Sequence, residues 1–127
     1  MSAIPPSLRL LAPSLLVLVL AGCGPTPPQA PLPQAKKLDT ATSGISTACG
    51  NSYRVMAFPG DHRRDLAMLE VSARSSARTL ASVYHRNPDW LYQGETVTQI
   101  VRDSRSYLQE CGLPSAEALL TRLTRVR

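Results

Sequence analysis

The 127-residue chain is poor in the residues from which active sites are built. It has two histidines, His62 and His85, and neither stands at ligand spacing from another histidine or a cysteine, so no zinc-type motif exists. Cysteine occurs only at positions 23, 49 and 111, which excludes a Cys-x-x-Cys redox pair. There is no Gly-x-Ser-x-Gly elbow, no phosphate-binding glycine loop and no internal repeat. Asp61, His62 and Asp65 do cluster, but at a helix start, where acidic side chains suit the helix dipole without any catalytic role. These absences point away from an enzyme, imply no cofactor and no metal, and leave no small-molecule substrate evident. Nor is any apolar run long enough for a comfortable transmembrane span, which takes about 20 residues.

The longest apolar run is informative all the same. Met1 to Arg9 carry one basic side chain and no acid, and Leu10 to Ala21 then hold six leucines and two valines, interrupted by Pro13. This is the n-region and h-region of a signal peptide. It closes on Leu20-Ala21-Gly22-Cys23. That ending resembles the lipobox of bacterial prolipoproteins: Leu, then Ala or Ser, then Gly or Ala, then an invariant Cys. The resemblance implies that the Cys23 thiol receives a diacylglyceryl group. It also implies that residues 1–22 are removed, and that Cys23 becomes the first residue of the mature chain, often acylated on its new amino terminus. Two or three acyl chains anchor a protein stably where one is marginal, at about 0.8 kcal/mol per buried CH₂. Gly24 stands where Gram-negative lipoproteins kept in the inner membrane carry Asp. The resemblance therefore implies the cell envelope and, in a Gram-negative cell, the outer membrane, facing the periplasm, as the destination.

Without the leader the chain keeps 13 of its 14 basic residues (Arg9 is lost) against all 9 acidic ones. Its length is that of one small domain. The modest basic excess reads as a solvated surface or as attraction to anionic lipid or cell-wall material. Nucleic acid is not an expected partner in that compartment.

Five prolines fall between Pro25 and Pro33, a density that reads as an extended, disordered linker over residues 23–38. Such a segment would hold the domain up to roughly 40 Å from the membrane, at about 3.1 Å per residue, or serve as a proline-rich docking peptide.

Residues 39–127 read as an all-α bundle of three long helices and one short one. In the first, about Thr40 to Phe58, Ala41, Ile45, Ala48, Cys49, Ser52, Val55 and Met56 share a face, with Asp39 as the expected cap. Gly44 and Gly50 weaken it, and Tyr53 to Phe58 reads equally as a short strand. Asp61 is the expected N-cap of a second helix, about His62 to Arg86, with a stripe of Leu66, Leu69, Ala73, Ala77, Leu80 and Tyr84. A third, Glu95 to Glu110, turns Val97, Ile100, Val101, Ser104 and Leu108 inward and Arg102, Arg105, Ser106 and Gln109 outward. Gly112 suits the left-handed position after it, Leu113-Pro114 is the expected stop, and Ser115 the expected cap of a last helix through Val126.

Once Cys23 is set aside, Cys49 and Cys111 both lie on apolar faces of an exported domain, the setting for a disulfide rather than two free thiols. Met68 and Val71 lie opposite the second helix's core stripe, and Trp90 and Tyr92 sit in the loop Asn87 to Gly94. These four form the candidate interaction surface, unless the aromatics fold over the end of the bundle. Arg63, Arg64, Arg74 and Arg78 spread around the second helix and suggest no tight anion clamp. The expected role is that of a membrane-anchored, non-catalytic module that binds an envelope protein. The alternative is a structural lipoprotein that associates with anionic surfaces through its charge. The layout of lipobox, linker, small helical domain and long-range disulfide is also similar to that of the pilotins, lipoproteins that escort secretins.

Overall fold

The computed structural model describes residues 26–125 of the chain, so the leader, Cys23 and Val126 lie outside the described residues. Four helices and one small hairpin follow in the order α1 (Leu32–Met56), α2 (Arg63–Arg86), β1 (Leu91–Tyr92), β2 (Glu95–Thr96), α3 (Val97–Glu110) and α4 (Pro114–Arg125). The expected all-α bundle is what forms. Helix α2 is central, packed most extensively on α1 and α4, while α3 lies mainly on α4. The core between them is made of Leu38, Ile45, Leu80, Leu108, Leu113 and Leu120 with smaller residues at the crossings.

The first helix begins at Leu32, not near Thr40, so the second half of the expected linker is helical. Pro31 sits at the N-cap and Pro33 in the first turn, where backbone N–H groups have no intrahelical partner and a proline sacrifices nothing. Gln34 and Leu38 are buried by the extra turns. The strand just before is held as well: the Leu91 N–H donates to the Pro28 carbonyl and the Ala30 N–H to the Leu91 carbonyl, each at 2.9 Å. Asp39 therefore lies inside α1 rather than capping it, and its carboxylate accepts a hydrogen bond from the Tyr92 hydroxyl at 3.1 Å. The strand reading of Tyr53 to Phe58 falls too, because α1 runs on to Met56 and only the last residues turn out of it. Met56, expected on the inner face, is exposed.

Gly44, read from the sequence as a weakness of α1, sits where that helix packs tightly on α2. A Cβ there would stand 2.1 Å from the Ser76 hydroxyl oxygen. Gly50 has no such neighbour and open space around it.

The core stripe of α2 holds, with Ala73, Ala77 and Leu80 buried and Leu69 and Tyr84 packed beside them. The helix starts at Arg63, with His62 rather than Asp61 at the N-cap position, although the Asp61 carboxylate does accept from the Arg63 backbone N–H. The segment Asn87 to Gly94, expected as a plain loop, supplies the first strand and turn of a hairpin. The second strand takes Glu95 and Thr96 from the expected start of the third helix, and the turn residues Gln93 and Gly94 have φ of 52° and 84°. Positive φ at both turn positions matches the right-handed twist of the flanking strands. The hairpin delivers Thr96 to the start of α3 as half of a capping box with Gln99. Val97, Ile100, Val101, Ser104 and Leu108 face inward as expected, while Arg105 is half-buried rather than outward.

Gly112, at φ 81°, closes α3 as expected, with the Leu113 N–H returning to the Leu108 carbonyl. Pro114 follows the end of α3 as expected and also starts α4, in which Ser115 is the second residue rather than the cap. The cap comes from elsewhere: Glu70 of α2 accepts from the backbone N–H groups of both Ser115 and Ala116, each at 2.9 Å. Cys49 and Cys111 form a disulfide with their Cα atoms 5.3 Å apart, tying the middle of α1 to the end of α3. Beside it the buried Ser52 hydroxyl donates to the Cys111 carbonyl at 2.6 Å.

Candidate functional site

The candidate interaction residues separate into two places. Trp90 and Tyr92 are half-buried against the core at the hairpin end of the bundle, so these aromatics fold over that end. Burial, and then the neighbouring Asp39 carboxylate, hold the Tyr92 phenol above its ordinary pKa. Met68 and Val71 lie near the other end and stand in solvent, 68% and 59% exposed. Asp39, which Tyr92 touches, and Arg54, which borders the Met68 surface, are 15 residues apart on α1, about 22 Å at the helical rise. The two pairs do not share one surface.

What Met68 does belong to is an apolar crescent that the sequence pattern leaves in pieces. Two adjoining hollows of about 360 and 250 Å³ lie across the α1–α2 junction and share Arg54, Val55 and Asp65. Met68 and Leu69 line the first, and Phe58 and His62 the second. Phe58, the chain's one phenylalanine, is 69% exposed there. Val71, one turn along α2 from Met68, is exposed as well but lines neither hollow. Phe58 lies in the Phe58-Pro59-Gly60 turn, which periodicity treats only as a helix ending, so its contribution to a surface was not visible.

The residues around the crescent are tied down by turn interactions. His62 bonds through Nε2 to the Phe58 carbonyl. Arg63 donates to both oxygens of the Asp61 carboxylate, and this contact holds Asp61 below the usual carboxylate range and raises Arg63. Among the described residues no three His, Cys, Asp or Glu side chains converge as a metal site would require. Within the same residues no helix is long and apolar enough to cross a membrane.

A second surface has the opposite character. Between α2 and α4 a cleft of about 440 Å³ is lined by Arg74, Arg78, Ser115, Ala118, Leu119 and Arg122. Arg74 and Arg78 lie one turn apart on α2, and the arginine that completes the set comes from α4. Arg63 and Arg64 take no part in it, so the arginines of α2 are spread as expected while two of them border a cleft with one from α4. Helix pairing, which the sequence pattern of α2 alone does not contain, brings Arg122 to them.

No family model matches the chain, and comparison with curated proteins and with solved structures finds no significant match.

Proposed function

We propose that this protein is a lipid-anchored module of the bacterial envelope, with Cys23 as the acylated residue, whose helical domain docks a partner protein through the apolar crescent. The observation that carries the docking is the exposure of Phe58 and Met68 around adjoining hollows of a bundle whose other large apolar side chains are mostly packed. Solvent-exposed apolar clusters rimmed by charge are features of protein interaction sites. Here the rim is Arg54 and Asp65, one charge of each sign, which favours a partner strip that is apolar at its centre and polar at its edges. The Leu20-Ala21-Gly22-Cys23 ending supports the anchor.

Affinity capture of the mature protein from detergent-solubilised envelope tests the docking, run beside a Phe58→Ser/Met68→Ser variant. The expected result is one stoichiometric partner retained by the native protein and lost by the variant. Retention that is equal for both, or that disappears with salt alone, overturns it. Mass spectrometry of the native protein tests the anchor separately, by an acyl mass on Cys23.

A further inference from the structure

We propose that the cleft between α2 and α4 is a binding site for a phosphate ester, gripped by Arg74, Arg78 and Arg122. The site is distinct from the apolar crescent and does not depend on the docking role.

The charge balance of the cleft is the first argument. Three guanidinium-bearing side chains line it, and among the described residues no carboxylate comes within 4.0 Å of their nitrogens. The nearby acid, Glu70, is committed to the start of α4 through both of its oxygens. Like charges one turn apart on a helix repel each other, so Arg74 and Arg78 gain from an anion held between them. A concave, single-sign surface also concentrates counter-ions of the opposite sign.

Geometry and chemistry choose the anion. Each guanidinium presents a planar fork of N–H donors suited to two oxygens at once. A carboxylate is satisfied by one such fork. Three forks from two helices match a tetrahedral, doubly charged group with oxygens on every side, which is a phosphate. Arg74 is already oriented, donating from Nη1 to the Ser115 hydroxyl oxygen at 3.0 Å. That contact uses Ser115 as an acceptor and leaves its hydroxyl hydrogen available for a phosphate oxygen. Ala118 and Leu119 supply an apolar wall beside the charges, which a bare ion leaves empty and the organic part of an ester covers.

The ester has two possible sources, a phospholipid head group or a soluble phosphate compound, and the test separates them. The full-length protein, held in neutral detergent micelles, is titrated with glycerol 3-phosphate. In parallel it is transferred to micelles doped with phosphatidic acid or, as the zwitterionic reference, phosphatidylcholine. Binding is read by calorimetry and by the shift in unfolding temperature. Two variants accompany it: Arg78→Gln/Arg122→Gln in the cleft, and Arg64→Gln/Arg102→Gln, with the same change in net charge, outside it. The expected result is saturable binding of at least one phosphate ester, weakened about tenfold or more by the cleft variant. The control variant is expected to stay within about twofold, since its charges act only through the screened overall field. Response to glycerol 3-phosphate identifies a soluble ligand, and response to phosphatidic acid alone identifies a lipid. Absence of binding to both, or equal weakening in both variants, overturns the proposal.

Discussion

Glu70 and Ser115, 45 residues apart in the chain, meet where the side chain of one helix caps the backbone of another. One carboxylate oxygen accepts from Ser115 and the other from Ala116, so two N–H groups of α4 that would face the protein unpaired are satisfied by α2. The negative charge also stands at the positive end of the α4 dipole. Glu70→Ala should therefore destabilise the protein by about 1–2 kcal/mol, the typical effect of losing a cap with two charge-assisted bonds. Urea unfolding measures it, and amide exchange should show the first turn of α4 opening before the rest. An effect no larger than that of an exposed control such as Glu110→Ala contradicts the assignment.

The two glycines of α1 should respond in opposite ways. At Gly50 alanine meets nothing, and it should stabilise the helix by up to about 1 kcal/mol through propensity alone. At Gly44 the same change drives a methyl group into Ser76, and overpacking of about 1–3 kcal/mol should outweigh that gain. Adding Ser76→Ala to Gly44→Ala should recover part of the loss, because the nearest clashing atom is the hydroxyl. Thermal unfolding of the three variants decides it.

Removing the disulfide should have a large effect. Cys49 and Cys111 are 62 positions apart, and constraining a loop of that length in the unfolded chain is worth about 4 kcal/mol on the chain-entropy account. Cys49→Ala/Cys111→Ala, or reductant added to the native protein, should lower the urea midpoint accordingly. An unchanged midpoint under reductant would mean that helix packing alone holds α3 to α1.

Tyr92 offers a pH test. Its phenol proton is held more tightly in the folded chain than at the ordinary value of 10.0, first by burial and then by Asp39. A raised folded-state pKa contributes stability that is fully present below the unfolded value and fades as pH rises through the folded one. The expected behaviour is a late-ionising phenol in an ultraviolet titration, absent from Tyr92→Phe. In Asp39→Asn it should move down towards, but not onto, the ordinary value, since burial persists.

The readable parts of the fold were those set by local repetition. Ala73, Ala77 and Leu80 on α2, and Val97, Ile100, Val101 and Leu108 on α3, repeat at helical spacing amid polar neighbours, and each is buried. A proline interrupts a helical pattern in sequence, yet the same residue also opens helices. Pro31, Pro33 and Pro114 all stand at helix starts, where the missing N–H is no loss. The Thr96–Gln99 capping box was present in the sequence as Thr-x-x-Gln, but hidden behind a two-residue turn with Gln93 in the left-handed region, an unusual place for that side chain. Other features had no local signature at all. The Glu70 cap and the meeting of Arg122 with Arg74 and Arg78 depend on how helices pair, and Phe58 joins the crescent only because the turn after α1 folds back beside α2.

The pairing of Pro28 and Ala30 with Leu91 changes what serves as the measuring rod of the molecule. Five residues lead from Cys23 to Pro28, a stretch of at most about 18 Å however it is arranged. On the tethered reading, then, the hairpin end lies within about 18 Å of the lipidated residue, and the proline segment contributes no more than that reach. The longer dimension belongs to α1, whose 25 residues rise about 37 Å from Leu32 to the turn that carries Phe58. On the same reading, a helix standing away from the tether would carry the crescent at its far end beyond anything the linker alone could reach.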